Sequence, residues 1–154
     1  MSIFDNLVSL SRRRSPWLFH LNTGSCNGCD IELAACLSPR YDIEHLGALL
    51  QGSPRHADVL CISGPVTRGT ETAIKTIYGQ IPAPKVVVAI GSCPASGCVF
   101  AGSPLILASL EGILPVDVFV PGCPPRPGAI IDGVLKAVAI LAGRRNNSEA
   151  KEVV

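Results

Sequence analysis

The side chains of this 154-residue chain that could do chemistry are first of all its seven cysteines. Cys26 and Cys29 lie three positions apart, whereas Cys93 and Cys123 stand alone, far along the chain. Each of the four has a glycine or a proline within two positions, which permits close backbone approach or stiffens the loop. Because the cysteine count is odd and no export signal is recognisable, we expect a reducing compartment, where cysteines more often bind metal or do redox chemistry than form disulfides.

Short apolar runs precede these cysteines and predict the strands that position them. The runs are rich in β-branched residues and are followed by glycine or proline, which is typical of buried parallel strands that lead into tight loops. Helix-like segments alternate with them, so we expect an α/β fold with a mostly parallel sheet flanked by helices. The predicted strands are residues 17–21, 58–63, 85–90 and 116–120, with one further strand at 41–46, and the predicted helices are residues 28–37, 70–80, 104–112 and 128–143.

The last predicted helix shows the clearest amphipathic pattern. Its apolar residues recur at helical spacing and predict one core-facing side. The residues on that side are Ile130, Ile131, Val134, Leu135, Val138 and Leu141.

The predicted sheet brings the four cysteines together. Cys26 and Cys29 follow the first strand, and Cys93 and Cys123 each follow another. Carboxyl ends of parallel strands share one edge of the sheet, and ligand sites form in the crevice outside that edge. Four thiolates on such loops, with backbone amides available to inorganic sulfide, favour an iron-sulfur cluster.

Three other sites use some of the same residues. A four-cysteine zinc site is one, although structural zinc ligands usually come as two short Cys-x-x-Cys pairs and this chain has one. A thioredoxin-like dithiol at Cys26 and Cys29 is another, but it leaves Cys93 and Cys123 without a role. A phosphate-binding loop is disfavoured because neither of its glycine-rich signatures occurs.

The remaining cysteines have simpler interpretations. Cys61 lies within an apolar strand and is expected to be a small core residue. Cys36, seven positions beyond Cys29 on a similar helix face, is also expected to pack in the core. Cys98 is a rival ligand in a glycine-rich loop, and we prefer Cys93 because it directly follows its strand.

Composition limits the possible partners. Charged residues make up 16% of the chain, against a usual share of about 25%, and hydrophobic residues make up 47%, so part of the exterior is expected to be covered by other subunits. A net charge of +1 and 5% aromatic residues argue against nucleic-acid binding. The apolar runs are too short to span a membrane. We expect one domain over residues 1–154, with a basic N-terminal arm over 1–14 and a polar C-terminal tail over 144–154.

From residue 17 to about residue 142 the sequence resembles the small subunit of nickel-iron hydrogenases and its relative in respiratory complex I, the subunit that carries the terminal cluster. The motifs that carry this resemblance are Cys26-Asn27-Gly28-Cys29-Asp30-Ile31-Glu32, Ser63-Gly64-Pro65-Val66-Thr67-Arg68, Gly91-Ser92-Cys93 and Pro121-Gly122-Cys123-Pro124-Pro125-Arg126-Pro127. The resemblance implies a flavodoxin-like fold and one 4Fe-4S cluster. The implied ligands are Cys26, Cys29, Cys93 and Cys123.

Two departures refine the resemblance. The complex I relatives carry adjacent cysteines where Asn27 and Gly28 separate Cys26 from Cys29 here. Conventional uptake hydrogenases have a longer small subunit with further clusters and often an export signal. The chain therefore looks like the small subunit of a membrane-bound, energy-converting hydrogenase. It would pass electrons from a ferredoxin-like subunit to a nickel-iron centre in a large subunit, together with integral membrane subunits, on the cytoplasmic side of the membrane.

Two function classes remain as alternatives. One is the equivalent cluster subunit of a complex I-like quinone or sulfur reductase, and the other is a structural zinc domain. Several further residues have expected roles within the first interpretation. Glu32 is a possible proton relay, Arg68 and Arg126 are expected at the large-subunit interface, and Asp30 is expected to be only an acid of the first helical turn. His20 and His56 are expected to be structural imidazoles.

Overall fold

The computed structural model describes residues 11, 14–107 and 109–144. Five strands form one sheet: β1 (Trp17–Asn22), β2 (Leu49–Leu50), β3 (Val59–Ser63), β4 (Val86–Ile90) and β5 (Val118–Val120). The α-helices are α1 (Gly28–Cys36), α2 (Glu71–Gln80), α3 (Ser92–Ser96) and α4 (Pro127–Gly143), and short 3-10 helices occur at Pro54–His56, Cys98–Phe100 and Leu110–Gly112.

The strands run parallel in the order β2-β1-β3-β4-β5. This order is that of flavodoxin-like folds, in which ligands bind at the carboxyl ends of the strands. One row of paired residues, Asn22, Ser63, Ile90 and Val120, crosses four strands at their carboxyl ends. The flavodoxin-like fold and the common edge expected from the sequence are therefore confirmed, and we call this edge the rim.

Burial on both faces explains why the central strands are continuous apolar runs. All five residues of β3 and all five of β4 are buried. Alternate side chains point to opposite faces, so Val88 packs beneath α1 and α4 while Val87 packs beneath α2. Helix α4 lies so close to β5 that a Cβ added at Gly133 would come within 2.3 Å of the Val120 side chain.

Three predictions about elements were wrong. Residues 41–46 form turns rather than a strand, since Asp42 has a φ of 43° and successive turn hydrogen bonds fold this segment back; the edge strand is β2 instead. Among the described residues of 104–112, the only helix is the 3-10 helix Leu110–Gly112, because the N–H of Leu107 bonds to the carbonyl oxygen of Val66 across the loop. Leu135 is 46% exposed, so it is not on the core side of α4.

Arg144, predicted to be the first residue of a polar tail, is bonded to the fold. Arg144 forms an ion pair with Asp117 and donates to the carbonyl oxygen of Lys85 at 2.6 Å, so this residue belongs to the fold. Residues 145–154, and all of the predicted N-terminal arm except residues 11 and 14, lie outside the described residues. Within the described part of the chain, no helix is both long enough and apolar enough to cross a membrane.

Candidate metal centre

Cys26 and Cys29 lie at the loop that joins β1 to α1. Asn27 adopts a left-handed conformation, with a φ of 66°, and its carbonyl oxygen accepts the N–H of Ile31 at 2.9 Å to start the helix. This turn leaves Cys26 exposed, whereas Cys29 on the first helical turn is buried, with 8% of its surface exposed. One thiol of the pair thus faces outward and the other faces the end of the sheet.

The end of β4 holds Cys93 close to the end of β5. The N–H of Gly91 donates to the carbonyl oxygen of Val120 at 2.8 Å, and the N–H of Ser92 donates to that of Gly122 at 2.9 Å. Cys93 follows as the second residue of the short helix α3, an element that the sequence pattern did not predict. The two hydrogen bonds place the loop carrying Cys123 beside α3.

The glycines of these loops mark where the backbone approaches a thiol. A Cβ added at Gly91 would lie 2.7 Å from Sγ of Cys29, and one at Gly28 would lie 3.6 Å from Sγ of Cys26 and 3.8 Å from Pro124. The Gly91 contact brings the Cys29 thiol against the end of β4. The Gly28 contacts bring the Cys26 loop against the residue that follows Cys123.

Electrostatic interactions link the thiols as well. Burial is the largest cause that raises the pKa of Cys29 to about 11, and the charges of Asp30, Cys26 and Cys123 contribute in that order. Burial is also the largest cause that raises the pKa of Cys93 to about 11, with contributions from Cys98, Cys123 and Cys29. Without a bound cation these two thiols stay protonated at neutral pH, and a metal that binds them must displace their protons.

Cys98 is a fifth thiol at the rim. The N–H of Gly97 donates to the carbonyl oxygen of Cys93 at 2.7 Å and turns the chain back, and Cys98 follows with a φ of 48°. The charge of Cys98 is the largest cause of the raised pKa of Cys123, and a hydrogen bond in which the Cys123 thiol donates to Cys98 also raises it. The structure therefore keeps Cys98 as a rival of Cys93, and the preference for Cys93 stays a prediction.

The four predicted ligands form a donor set that suits the group they are expected to hold. The sulfurs of Cys26, Cys29, Cys93 and Cys123 come from three strand ends and lie on adjoining loops, and cysteine sulfur is the usual ligand of iron-sulfur clusters. The donor set fits an iron-sulfur cluster by its chemistry, although no group of three or more His, Cys, Asp or Glu side chains among the described residues is arranged to hold a metal ion. The ligand assignment remains a prediction.

Asp30 is the centre of a polar network that sequence reasoning missed. Its carboxylate accepts hydrogen bonds from Nδ2 of Asn22 and Oγ of Ser25, both at 2.6 Å, and from the hydroxyl of Ser63. Burial raises the pKa of Asp30, but these hydrogen bonds and the electrostatic interaction with His20 outweigh it, so the pKa is lowered. The expected first-turn position is correct, but the carboxylate also ties the ends of β1 and β3 to α1. The signal available in the sequence was a polar residue at the end of each of two predicted strands, Asn22 after the first and Ser63 at the end of the second.

His20 belongs to the same network. Its Nε2 lies 2.9 Å from Oγ of Ser63 and 3.1 Å from Oδ1 of Asp30. Because the Ser63 hydroxyl gives its only hydrogen to Asp30, it accepts from Nε2 of His20, which therefore carries a hydrogen. Burial lowers the pKa of His20 despite the opposing effect of Asp30. The structural imidazole expected here is confirmed, and its partners lie at the rim.

The other candidate residues lie apart from the thiols or on the surface. Glu32 is half-buried, and its charge contributes to the raised pKa of Cys36, one turn further along α1. Its role as a proton relay stays a prediction. Arg68 and Arg126 are exposed on rim loops, and neither guanidinium forms an ion pair among the described residues. His56 packs edge-on against Trp17, with the ring centres 5.9 Å apart, as a structural residue.

The two cysteines predicted to pack in the core do so. Cys61 and Cys36 are both 0% exposed. The thiol of Cys36 donates to the carbonyl oxygens of Glu32 and Pro127, at 3.3 Å and 3.5 Å. Burial raises the pKa of Cys61 to about 12 and that of Cys36 to about 11, and both thiols therefore behave as small apolar side chains.

Large apolar side chains are exposed around the rim. Val99 is 83% exposed and Leu105 is 68% exposed, both on the loop that follows α3, and Ile31 on the first turns of α1 is 67% exposed. The N–H of Arg68 donates to the carbonyl oxygen of Leu105 at 3.0 Å, which joins this loop to the one after β3. We call Ile31, Val99, Phe100 and Leu105 the apolar rim patch. Large apolar side chains that are exposed as a group, rather than singly, mark interaction sites.

Known proteins are similar to this chain in sequence and in structure. Residues 26–137 match the family described as NADH ubiquinone oxidoreductase, 20 kDa subunit. A probable membrane-bound hydrogenase subunit of Pyrococcus furiosus is 60% identical over 129 residues, covering 84% of this chain and 77% of the relative. A subunit of the NADH-quinone oxidoreductase of Citrifermentans bemidjiense is 40% identical, covering 93% of this chain and 82% of the relative. A chain in the structure of the membrane-bound sulfane sulfur reductase, an archaeal respiratory membrane complex, is similar with a TM-score of 0.77 and 36% identity, over 89% of this chain and 76% of that chain.

Proposed function

This chain belongs to the family of the NADH ubiquinone oxidoreductase 20 kDa subunit, and we propose that it is the electron-transfer small subunit of a multisubunit, energy-converting nickel-iron hydrogenase. Relatives of this chain are described as oxidoreductase subunits of a hydrogenase or of a complex I-like enzyme. The 60% identity to a probable membrane-bound hydrogenase subunit favours a hydrogenase over a complex I-like enzyme.

The observation that carries the proposal is the meeting of cysteine loops at the rim. Cys26, Cys29, Cys93 and Cys123 are the proposed ligands of one 4Fe-4S cluster. Such a cluster accepts and donates one electron when it is bound. The chain's own contribution is to bring distant thiols together, to bury Cys29 and Cys93 partly away from water, and to supply loop amides around the sulfurs.

The active site for proton reduction belongs to a partner in this proposal. The hydrogenase resemblance implies that two Cys-x-x-Cys pairs of the large subunit hold the nickel, and this chain has one such pair, already assigned. Arg68 and Arg126, together with the apolar rim patch, are the proposed contact surface for that subunit, since the patch is exposed beside the thiols. A ferredoxin-like subunit is proposed as the electron donor.

Membrane association would come through the complex. The Pyrococcus furiosus relative is described as a membrane-bound hydrogenase subunit, whereas this chain has no helix in its described residues that could span a bilayer. We therefore propose peripheral attachment on the cytoplasmic side, through integral membrane subunits of the same complex. The proposed path of electrons then runs from the donor subunit, through the cluster of this chain, to the large subunit.

The function is tested on the complex purified anaerobically from native membranes. Metal analysis should find nickel together with iron, and reduced ferredoxin should support hydrogen evolution. A Cys93→Ser complex should keep the nickel of its large subunit and lose ferredoxin-dependent hydrogen evolution. A wild-type complex that lacks nickel and evolves no hydrogen would contradict the proposal.

A second candidate function is the cluster subunit of a quinone or sulfur reductase. It is supported by the 36% identity to a chain of the sulfane sulfur reductase and by the 40% identity to a quinone-linked subunit. In that case the complex should contain iron but no nickel and should reduce sulfane sulfur or a quinone. A structural zinc domain, the third interpretation, predicts zinc in place of iron.

A further inference from the structure

Asp30 places a carboxylate directly beside the proposed cluster ligands. It follows Cys29 in the sequence, and its side chain is only 19% exposed. Its carboxylate accepts a hydrogen bond at 2.6 Å from Oγ of Ser25, the residue that precedes Cys26. The charge therefore stands on the helical turn that carries Cys29 and is bonded to the loop that carries Cys26.

Its hydrogen-bond partners hold this charge in place without cancelling it. Asn22, Ser25 and Ser63 are neutral donors. His20 is the only ion-pair partner of Asp30 among the described residues, and burial lowers its pKa, which favours the uncharged imidazole. A carboxylate held by neutral donors in a partly buried site keeps a full negative charge that water screens poorly.

The network also fixes the loop that carries Cys26. Oγ of Ser25 donates to Asp30 and accepts the N–H of Asn27 at 3.1 Å. Oδ1 of Asn22 accepts the N–H groups of Gly24 and Ser25, at 2.8 Å and 2.9 Å. The carboxylate and the ligand loop are thus joined by one hydrogen-bond network, which positions the charge beside the loop.

We propose that Asp30 is a positioning residue that lowers the reduction potential of the cluster, an inference that rests on the proposed function. Reduction adds one negative charge to the cluster. A fixed negative charge nearby raises the free energy of the reduced form more than that of the oxidised form, so the reduction potential falls. A low potential suits a subunit that receives electrons at the level of a ferredoxin and delivers them for proton reduction.

The test is a redox titration of the full chain, purified anaerobically with its iron and followed by electron paramagnetic resonance. Asp30→Asn removes the charge and keeps the size of the side chain. We expect iron content to stay near that of the wild type and the midpoint potential to shift to a more positive value. An iron-replete Asp30→Asn chain with an unchanged midpoint would overturn the inference.

Two matched variants separate charge from structure. Ser63→Ala removes a hydrogen bond to Asp30 but keeps the charge, and its midpoint should stay unchanged or become more negative. Glu44→Gln removes a carboxylate from the turn before β2, at the opposite edge of the sheet, and should leave the midpoint unchanged. A positive shift in Ser63→Ala as large as that of Asp30→Asn would assign the effect to the network rather than to the charge.

A further variant keeps the inference testable if Asp30→Asn fails to hold iron. His20→Lys retains the carboxylate and a donor to it while adding a permanent positive charge, so it should also shift the midpoint to a more positive value. An iron-replete His20→Lys chain without that shift would overturn the inference. A wild-type chain that binds no iron would instead refute the proposed function, so the two failures are distinguishable.

Discussion

Cys93 and Cys98 lie five positions apart, and their thiols are close enough that the charge of Cys98 raises the pKa of Cys93. Cys93 lies on α3, whose backbone is bonded to the β5 loop, whereas Cys98 begins the following 3-10 helix. Only one of them is needed to complete a set of four ligands with Cys26, Cys29 and Cys123. We therefore expect the ligand to be Cys93, whose helix is bonded to the β5 loop.

Serine substitutions at these two positions test the ligand assignment. Cys93→Ser should lower iron occupancy at least about tenfold, since loss of a ligand costs more than loss of an outer-shell partner. Cys98→Ser should keep its iron, because the four proposed ligand thiols are unchanged. Iron content per chain and the paramagnetic signal of the reduced protein measure both. The reverse result, iron lost only in Cys98→Ser, would move the assignment to Cys98.

Burial of the Cys61 thiol predicts that the free energy of unfolding falls as pH rises in the alkaline range. Its pKa is raised from 9.0 to about 12 by burial. Between those values the unfolded chain has lost this proton and the folded chain retains it, so stability should fall as pH rises, by about 1.4 kcal/mol per pH unit. Denaturant unfolding under reducing, anaerobic conditions from about pH 8 to 11 measures the slope.

Cys61→Ala is the control for this pH effect. It removes the thiol from the core and should make the decline of stability at alkaline pH shallower, even though the smaller side chain lowers stability at every pH. Equal slopes in the two chains would show that Cys61 does not cause the effect.

The loop between β4 and α3 depends on Gly91. This residue has a φ of 91°, and a Cβ there would lie 2.7 Å from Sγ of Cys29. Gly91→Ala should therefore displace the thiol and lower iron content, in addition to a backbone cost of about 1–3 kcal/mol, because a φ of 91° with a ψ of 172° is essentially restricted to glycine. Iron analysis and thermal unfolding measure the two effects separately.

Gly102→Ala is the matched control for this substitution. Gly102 has a φ of 89°, but no atom lies within 4 Å of its added Cβ. The control also carries the strain of a positive φ and lacks the clash, so it should be destabilised and keep its iron. Equal iron loss in both chains would mean that backbone strain, and not the approach to Cys29, explains the result.

The elements that the sequence predicted well are those whose signal is local. β3 and β4 are continuous apolar runs, and α4 carries a long helical repeat, so their positions were predicted within one or two residues. The segment 41–46 has a strand-like composition, but its turns depend on hydrogen bonds and on the left-handed Asp42. The predicted helix at 104–112 was lost to a pairing with the loop after β3, which periodicity along one segment cannot reveal.

The candidate site was predictable to the same extent. The rule that parallel strands end at one edge was sufficient to group Cys26, Cys29, Cys93 and Cys123. It could not decide between Cys93 and Cys98 as the ligand, because the approach of Cys98 to Cys123 depends on the tight turn at Gly97. The role of Asp30 was also missed, because its partners come from three separate elements and only the folded chain brings them together.

At the scale of the whole molecule, the low charge content has a structural counterpart in the apolar rim patch. Leu105→Asp should leave iron content unchanged, because this side chain is 68% exposed, and should reduce the large subunit recovered with the chain about tenfold. Leu135→Asp, on an exposed part of α4 away from the rim, should recover the large subunit normally. Quantitative co-purification from native membranes measures the difference, and equal recovery in both variants would contradict an interface at the rim.

The central claim is that thiols from three strand ends jointly hold one iron-sulfur cluster. Its most direct test is the iron and acid-labile sulfide content of the anaerobically purified wild-type chain, with electron paramagnetic resonance of the reduced protein. The account predicts about four iron atoms and four sulfides per chain and a reducible paramagnetic signal. One zinc ion per chain, with neither iron nor sulfide, would contradict it.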